Sequence, residues 1–180
     1  MWIRVATIAD VPALQPLIDT SVRELGRAYY SPAQIEASIT AVFGIDSQLI
    51  ADGTYYLIDS PSGPVAIGGW SYRRTLYGGD QMKSADDPRL DPRTEPARIR
   101  AFFVHPSQAR RGLAKRLYRE CAIAARVAGF RRFELMATLP GEPLYAALGF
   151  SEVERISIPV AAGVELPLIR MSRGIDVIEG

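Results

Sequence analysis

Apolar residues recur along the chain with two spacings, about 3.6 residues in some stretches and 2 in others, and the switches between them divide it into elements. Trp2–Ala6 reads as a short strand. Thr7 precedes Asp10 by three residues, the spacing of a capping box with Asp in place of Glu or Gln, and Pro12 suits the first turn of a helix. Leu14, Leu17, Ile18, Val22 and Leu25 then share one helical face, which Gly26 ends. Ser31-Pro32 is a second cap-and-proline start, and Ile35, Ile39 and Val42 continue a helical face as far as Gly44.

Two strands, Thr54–Asp59 and Val65–Arg73, flank the turn Ser60-Pro61-Ser62-Gly63-Pro64 and form a hairpin, with Gly68 and Gly69 marking a bulge. Residues 75–96 break the pattern: four Asp, one Glu, three Pro and two Gly stand among few apolar residues. A polar loop of this length inside a compact domain is usually a functional or mobile element. Ala97–Val104 is a strand ended by His105-Pro106. A helix follows to about Ala128, with Leu113, Leu117, Cys121, Ala124 and Ala128 on one face and Gly129 as its stop. Arg132–Thr138 is a strand and Pro143–Leu148 a short helix. Phe150–Ile158 and Val164–Ser172 are two last strands, and a loose tail is expected after Gly174. The order β, α, α, β, β, β, α, β, α, β, β is a mixed α/β pattern, and the unit from Ala97 to Thr138 implies a parallel pair with a right-handed crossover.

Composition narrows the classes. The 180 residues suit one domain, read as 1–174 with a tail over 175–180, and 48% apolar content supplies a core. Lys plus Arg number 21 against 20 Asp plus Glu, a balance that argues against nucleic-acid binding. The one cysteine, Cys121, leaves no intrachain disulfide framework. The opening MWIRVATIAD resembles no signal or transit peptide, and no apolar run is long enough to span a bilayer, so a cytoplasmic protein with no membrane partner is expected.

The chemistry concentrates in Ile99–Lys115, IRAFFVHPSQARRGLAK. An apolar strand feeds a turn with two arginines and a glycine, and the turn opens a helix. The first amides of a helix lack intrahelical partners and, with the helix dipole, bind anions. Gly112 lets the backbone approach such an anion, Ala114 is small for the same reason, and Arg110, Arg111 and Lys115 add cationic donors. The build suits a pyrophosphate or phosphate ester as well as a solvated basic surface. It is neither a Walker loop nor a dinucleotide fingerprint. Metal ligation has no support, for no His/Cys cluster exists. His105 reads as a turn residue and Cys121 as core.

FFVHP followed by QARRGLA resembles the acyl-CoA-binding motif Q/R-x-x-G-x-G/A of the GNAT superfamily of N-acetyltransferases. Gly112 and Ala114 match the two small positions. The leading polar position falls on Ala109, a departure that Gln108 or Arg110 compensates. Pro143–Phe150, PLYAALGF, resembles the family's FYxxxGF segment, and Leu166–Met171 its final strand. The resemblance implies the GNAT acyl-CoA N-acyltransferase fold: a mixed central sheet of about six to seven strands, flanked by about four helices and splayed between strands 4 and 5.

By the same resemblance acetyl-CoA is the cosubstrate, with no metal. The amides near Phe103 and Val104 line the pantetheine arm, one of them polarising the thioester carbonyl. Arg110, Arg111, Gly112, Leu113, Ala114 and Lys115 hold the pyrophosphate, and Thr138 touches the CoA arm. Tyr145 is the general acid, its ordinary pKa of about 10 suiting a donor to a thiolate. The place of the base carboxylate found in several relatives is taken by Arg98, which cannot serve, so Glu95 or a water relay is considered. Residues 98, 100, 102 and 104 share one face of an ideal strand. Arg98 and Arg100 would then favour an anionic acceptor, whereas Asp80, Asp86, Asp87 and Asp91 favour a cationic one. The expected activity is acetylation of a primary amine of a small molecule. The alternatives are protein N-terminal or lysine acetylation and a non-catalytic acyl-CoA-binding regulator. A homodimer is expected by family habit alone.

Overall fold

The computed structural model describes residues 1–175. Its elements are β1 (Trp2–Val5), α1 (Val11–Gly26), α2 (Pro32–Ala41), α3 (Ser47–Ala51), β2 (Tyr55–Ser60) and β3 (Gly63–Ser71), then β4 (Ala97–Val104), α4 (Leu113–Val127), β5 (Arg132–Thr138), α5 (Glu142–Ala147), β6 (Ser151–Ala161) and β7 (Val164–Gly174). The seven strands form one sheet in the order β1-β2-β3-β4-β5-β7-β6, antiparallel except for β4 and β5. The order of elements is the expected one with α3 added. That short helix carries no apolar period; Asp46 starts it by accepting from the amides of Gln48 and Leu49.

Local chemistry sets the other starts. The Asp10 carboxylate accepts from the Thr7 amide and hydroxyl ahead of α1, and Ser31 and Gln34 exchange hydrogen bonds at the head of α2. Leu14, Leu17 and Ile18 of α1 pack on Tyr55, Leu57 and Ile67, one face of the sheet. On the opposite face Tyr118, Cys121, Ala122 and Ala125 of α4 pack on Ile99, Phe133 and Leu135. The buried face of α4 thus includes Ala125, while Ala128 stays outside it. Ile35 of α2 covers Leu166 and Leu168 of β7. Ile175, assigned to the tail, is buried and donates its amide to the Arg131 carbonyl; the rest of the tail lies outside the described residues.

Two irregularities shape the middle of the sheet. β4 and β5 pair only at Ala97↔Phe133 and Arg98↔Glu134, and beyond Arg98 they diverge. The bulge forms in β4 rather than at the glycines of β3. Ala101 takes a left-handed φ of 52°, and the register with β3 shifts opposite Gly68, where a Cβ would stand 2.7 Å from the Phe102 ring. The bulge overturns the expected parity. Ala97, Ile99, Phe102 and Val104 face α4, while Ala101 and Phe103 join the α1 side.

Candidate active site

The opening between β4 and β5 runs through the sheet as a cavity of about 710 Å³, within the range of small-molecule sites. One end is the turn before α4. Arg110 and Gly112 are left-handed, with φ of 64° and 77°, and Gly112 is the N-cap residue of α4 without a side-chain cap bond. The amides at the start of α4 therefore have no side-chain acceptor, and a Cβ at Gly112 would meet nothing within 4 Å. Crowding by the protein does not explain the glycine; its backbone angle and the open space before it do. Gln108, Ala109, Arg110, Gly112, Leu113, Ala114 and Lys115 line this end of the cavity. Arg111 does not: it is exposed and donates to Gln108 Oε1 at 3.1 Å.

Along the split, the β4 backbone is only partly used. The His105 amide bonds to Val65 O of the β3 side, so the alternation of an antiparallel ladder turns the amides of Phe102 and Val104 toward the opening and that of Phe103 away. Val104 N donates to Ser21 Oγ at 3.3 Å, a long bond to a cavity-lining hydroxyl. Of the pair Phe103 and Val104, it is Val104 that presents an amide, with Phe102 as its neighbour; the bulge is the cause. The Phe103 side chain does line the cavity, edge-on to Phe43 at 6.2 Å.

Thr138 and Tyr145 stand on the β5 side. Thr138 closes the turn into α5 by accepting from Gly141 N at 3.2 Å. The Tyr145 ring sits edge-on between Phe102, 6.4 Å away, and Phe150, 5.7 Å away, and is 8% exposed. Burial pushes its phenol above the ordinary value, and the Cys121 thiol adds to this. Gly141 leaves the ring its room, since a Cβ there would lie 3.3 Å from Tyr145 Cε2.

The two strand arginines are already engaged. Arg100, 3% exposed, donates to Asp46 Oδ2 (2.8 Å), Gly78 O (2.6 Å) and Thr75 O (3.1 Å). Burial lowers its pKa from the ordinary arginine value while Asp46 opposes the shift. Asp46 also pairs with Lys83. Arg98 lies outside the cavity lining, bonded to the carbonyls of Arg74 and Pro96 and 3.7 Å from Glu134. Its pKa is lowered by burial against the pull of Glu134. Glu95 is also outside, accepting from Asp91 N at 2.8 Å. Asp80 bonds Ser47, Asp87 bonds the Thr75 amide and Asp91 pairs with Arg93. Among the described residues, no Asp, Glu, His or Cys lines the cavity.

The wall missed in the sequence is the one on the α1 side. Gly26 at the end of α1, Tyr29 and Tyr30 just after it, Val42–Gly44 after α2, and Leu76–Gly79 all border the cavity. The loop 75–96 is fastened down rather than trailing: Gly79 N bonds Val42 O, Asp80 N bonds Ile45 O, and Leu90 N bonds Tyr72 O. The Tyr30 hydroxyl accepts from Leu139 N (2.9 Å) and donates to Pro167 O (2.7 Å), and burial raises its pKa to about 12. The Tyr29-Tyr30 pair, following a helix stop, was the signal available in the sequence.

The solved structures most similar in shape include a GCN5-related N-acetyltransferase from Rhodopseudomonas palustris, with a TM-score of 0.70 and 17% identity over 96% of this chain and 94% of that one. The PaiA N-acetyltransferase from Thermoplasma acidophilum, in complex with coenzyme A, superposes with a TM-score of 0.64 at 14% identity, covering 96% of this chain and 98% of that one. The YncA protein from Salmonella typhimurium, with its cofactor acetyl-CoA, gives 0.63 at 16% identity over 99% and 96%. At these identities the likeness is one of fold. No curated protein matches the chain by sequence. The family model for the acetyltransferase (GNAT) domain matches residues 54–152, which hold the bulged strand, the turn before α4 and Tyr145. That match spans more than half of the 180 residues, and the chain belongs to the GNAT acetyltransferase family.

Proposed function

We propose that the protein transfers an acetyl group from acetyl-CoA to a primary amine of a small molecule by direct attack on the thioester. The observation that carries this reading is the cavity itself. It joins an uncapped helix N-terminus, open in front of Gly112, to a chamber on the far side of the sheet through a gap in the strands. A phosphate-bearing thioester and an amine can therefore meet from opposite faces. The open helix start and its two cations, Arg110 and Lys115, fit the diphosphate of CoA. The complexes of PaiA with coenzyme A and of YncA with acetyl-CoA support the choice of cosubstrate.

When bound, acetyl-CoA supplies an activated acyl carbon: the amine nitrogen bonds to it, the C–S bond breaks, the nitrogen loses a proton and the departing sulfur gains one. The chain's own part is electrostatic and positional. The Val104 amide offers a donor for the charge that gathers on the acyl oxygen. Tyr145, kept protonated by burial, holds the proton destined for sulfur. No carboxylate or imidazole lines the cavity among the described residues, so the amine's proton leaves to water. The only cysteine is packed inside the α4 core, which favours direct transfer over a cysteine acyl-enzyme. A small acceptor is favoured because the segments 42–46 and 75–83 are bonded to one another beside the chamber.

Calorimetric titration with acetyl-CoA, followed by thiol release on addition of amines, tests the reading. Binding followed by amine-dependent thiol release is the expected result. A folded protein that binds no acetyl-CoA overturns the proposal, and one that binds it without releasing thiol to any amine supports a non-catalytic role.

A further inference from the structure

The half of the cavity on the α1 side differs in chemistry from the half at α4. Its walls are aromatic and apolar: Tyr29, Tyr30, Phe43, Tyr77, Phe103 and Met136. Phe43 and Phe103 are already in edge contact, and Tyr30 presents its ring, its hydroxyl being held by Leu139 and Pro167. Tyr29 is half exposed and stands free to lie against a guest.

Charge is accounted for as well. Arg110 and Lys115 belong to the helix-start end, leaving Arg100 as the charged side chain of this half. Three of its five N–H donors are taken by Asp46 and two carbonyls, and at 3% exposure it offers almost no surface to a substrate carboxylate. The nearest acid to it, Asp46, is fully buried and committed to Arg100, Lys83 and two α3 amides. Among the described residues, a second ammonium on the acceptor would thus find no carboxylate lining this half, and a carboxylate no exposed guanidinium. Burying either unpaired is costly, whereas an aromatic ring gains from edge and face contacts with the walls.

Resting on the acetyl-transfer reading, we propose that the acceptor is an aromatic monoamine with no charge beyond its amine, its ring held among Phe43, Tyr77 and Phe103. In this arrangement Arg100 is a positioning residue: through Asp46, Gly78 and Thr75 it ties β4 to the segments that carry Phe43 and Tyr77.

The test is a comparison of kcat/KM, by thiol release from acetyl-CoA, for 2-phenylethylamine, phenylalanine, spermidine and a short peptide with a free α-amine. The first two share a ring and differ by a carboxylate. We expect 2-phenylethylamine to lead by about tenfold or more, the discrimination that one unpaired group in an apolar-walled site gives. Phe43→Ala, checked for folding by its melting curve, should raise KM for 2-phenylethylamine about tenfold while leaving KM for acetyl-CoA unchanged. Preference for spermidine, phenylalanine or the peptide overturns the inference and leaves acetyl transfer standing. An unchanged KM in folded Phe43→Ala also overturns it. No thiol release with any amine overturns the acetyl-transfer reading and this inference with it.

Discussion

Replacing Tyr145 by Phe removes one oxygen and nothing else, and the structure says what that oxygen does for the fold. The ring is held by Phe102 and Phe150, and among the described residues no hydrogen bond engages its hydroxyl. The residue lines the cavity and its hydroxyl has no protein partner to lose, so Tyr145→Phe should change stability by no more than about 1 kcal/mol. Catalysis should respond differently. General acids contribute roughly 10²–10⁴-fold, but a thiolate, with an ordinary thiol pKa of about 8.5, leaves without much help. Burial raises the Tyr145 phenol further above that value, which weakens its drive to give up the proton. The loss in kcat should therefore sit near the lower end, about 10²-fold or about 3 kcal/mol of barrier. The same shift keeps the phenol protonated to about pH 10. The parent enzyme's kcat should then rise with pH as the amine deprotonates and show no alkaline fall below that point. Thiol release in saturating acetyl-CoA from pH 6 to 10, with melting curves for both proteins, measures all of this. A kcat within twofold of the parent at every pH, with unchanged melting, would make Tyr145 a core aromatic and refute its role as acid.

Gly112→Val should melt about 2–8 °C lower, since a left-handed angle costs an L-residue about 1–2 kcal/mol, yet lose CoA affinity roughly tenfold or more by calorimetry, because the new side chain points into the space before the helix. Arg100→Met strands the buried Asp46 with Lys83 and two amides and should destabilise by about 3 kcal/mol, a melting drop of about 6–12 °C. Melting equal to the parent would show that the pair is energetically idle. Burial alone would raise the Asp52 pKa, but hydrogen bonds from Arg73, Gln48 and Tyr72 outweigh it and hold the carboxyl below its ordinary value. A depressed folded pKa stabilises above about pH 4 and loses that stability as pH falls through the folded value. Asp52→Asn should therefore flatten the dependence of melting temperature on pH below about 4 and leave a constant deficit above it.

What could be read in the sequence was local. Periodicity and caps located β4 and β5 to the residue, and the starts of α1 and α2, because a Ser31-Pro32 start or an alternating apolar run acts within its own few residues. The turn before α4 was legible for the same reason: Gly112 and the small Ala114 carry their meaning in the backbone they permit. α3 escaped because Asp46, not an apolar face, makes it a helix.

The failures share a different cause. Parity along β4 turns on Ala101, an alanine in a conformation that sequence assigns to glycine, set opposite Gly68, where any Cβ would run into the Phe102 ring. That one residue decides whether the Phe102 or the Phe103 amide faces the opening. Arg100 looked like a substrate ligand only while its partner, 54 positions earlier, was unknown. The aromatic wall likewise joins residues near 30, 43 and 77 that no window of sequence connects. The two left-handed non-glycine residues among the described ones, Ala101 and Arg110, both border the cavity. Strain of this kind persists only where surrounding contacts over-determine it. Here those contacts turn β4 amides into the opening at one point and shape the turn before α4 at the other, so both left-handed non-glycine residues among those described lie where the proposed chemistry needs them.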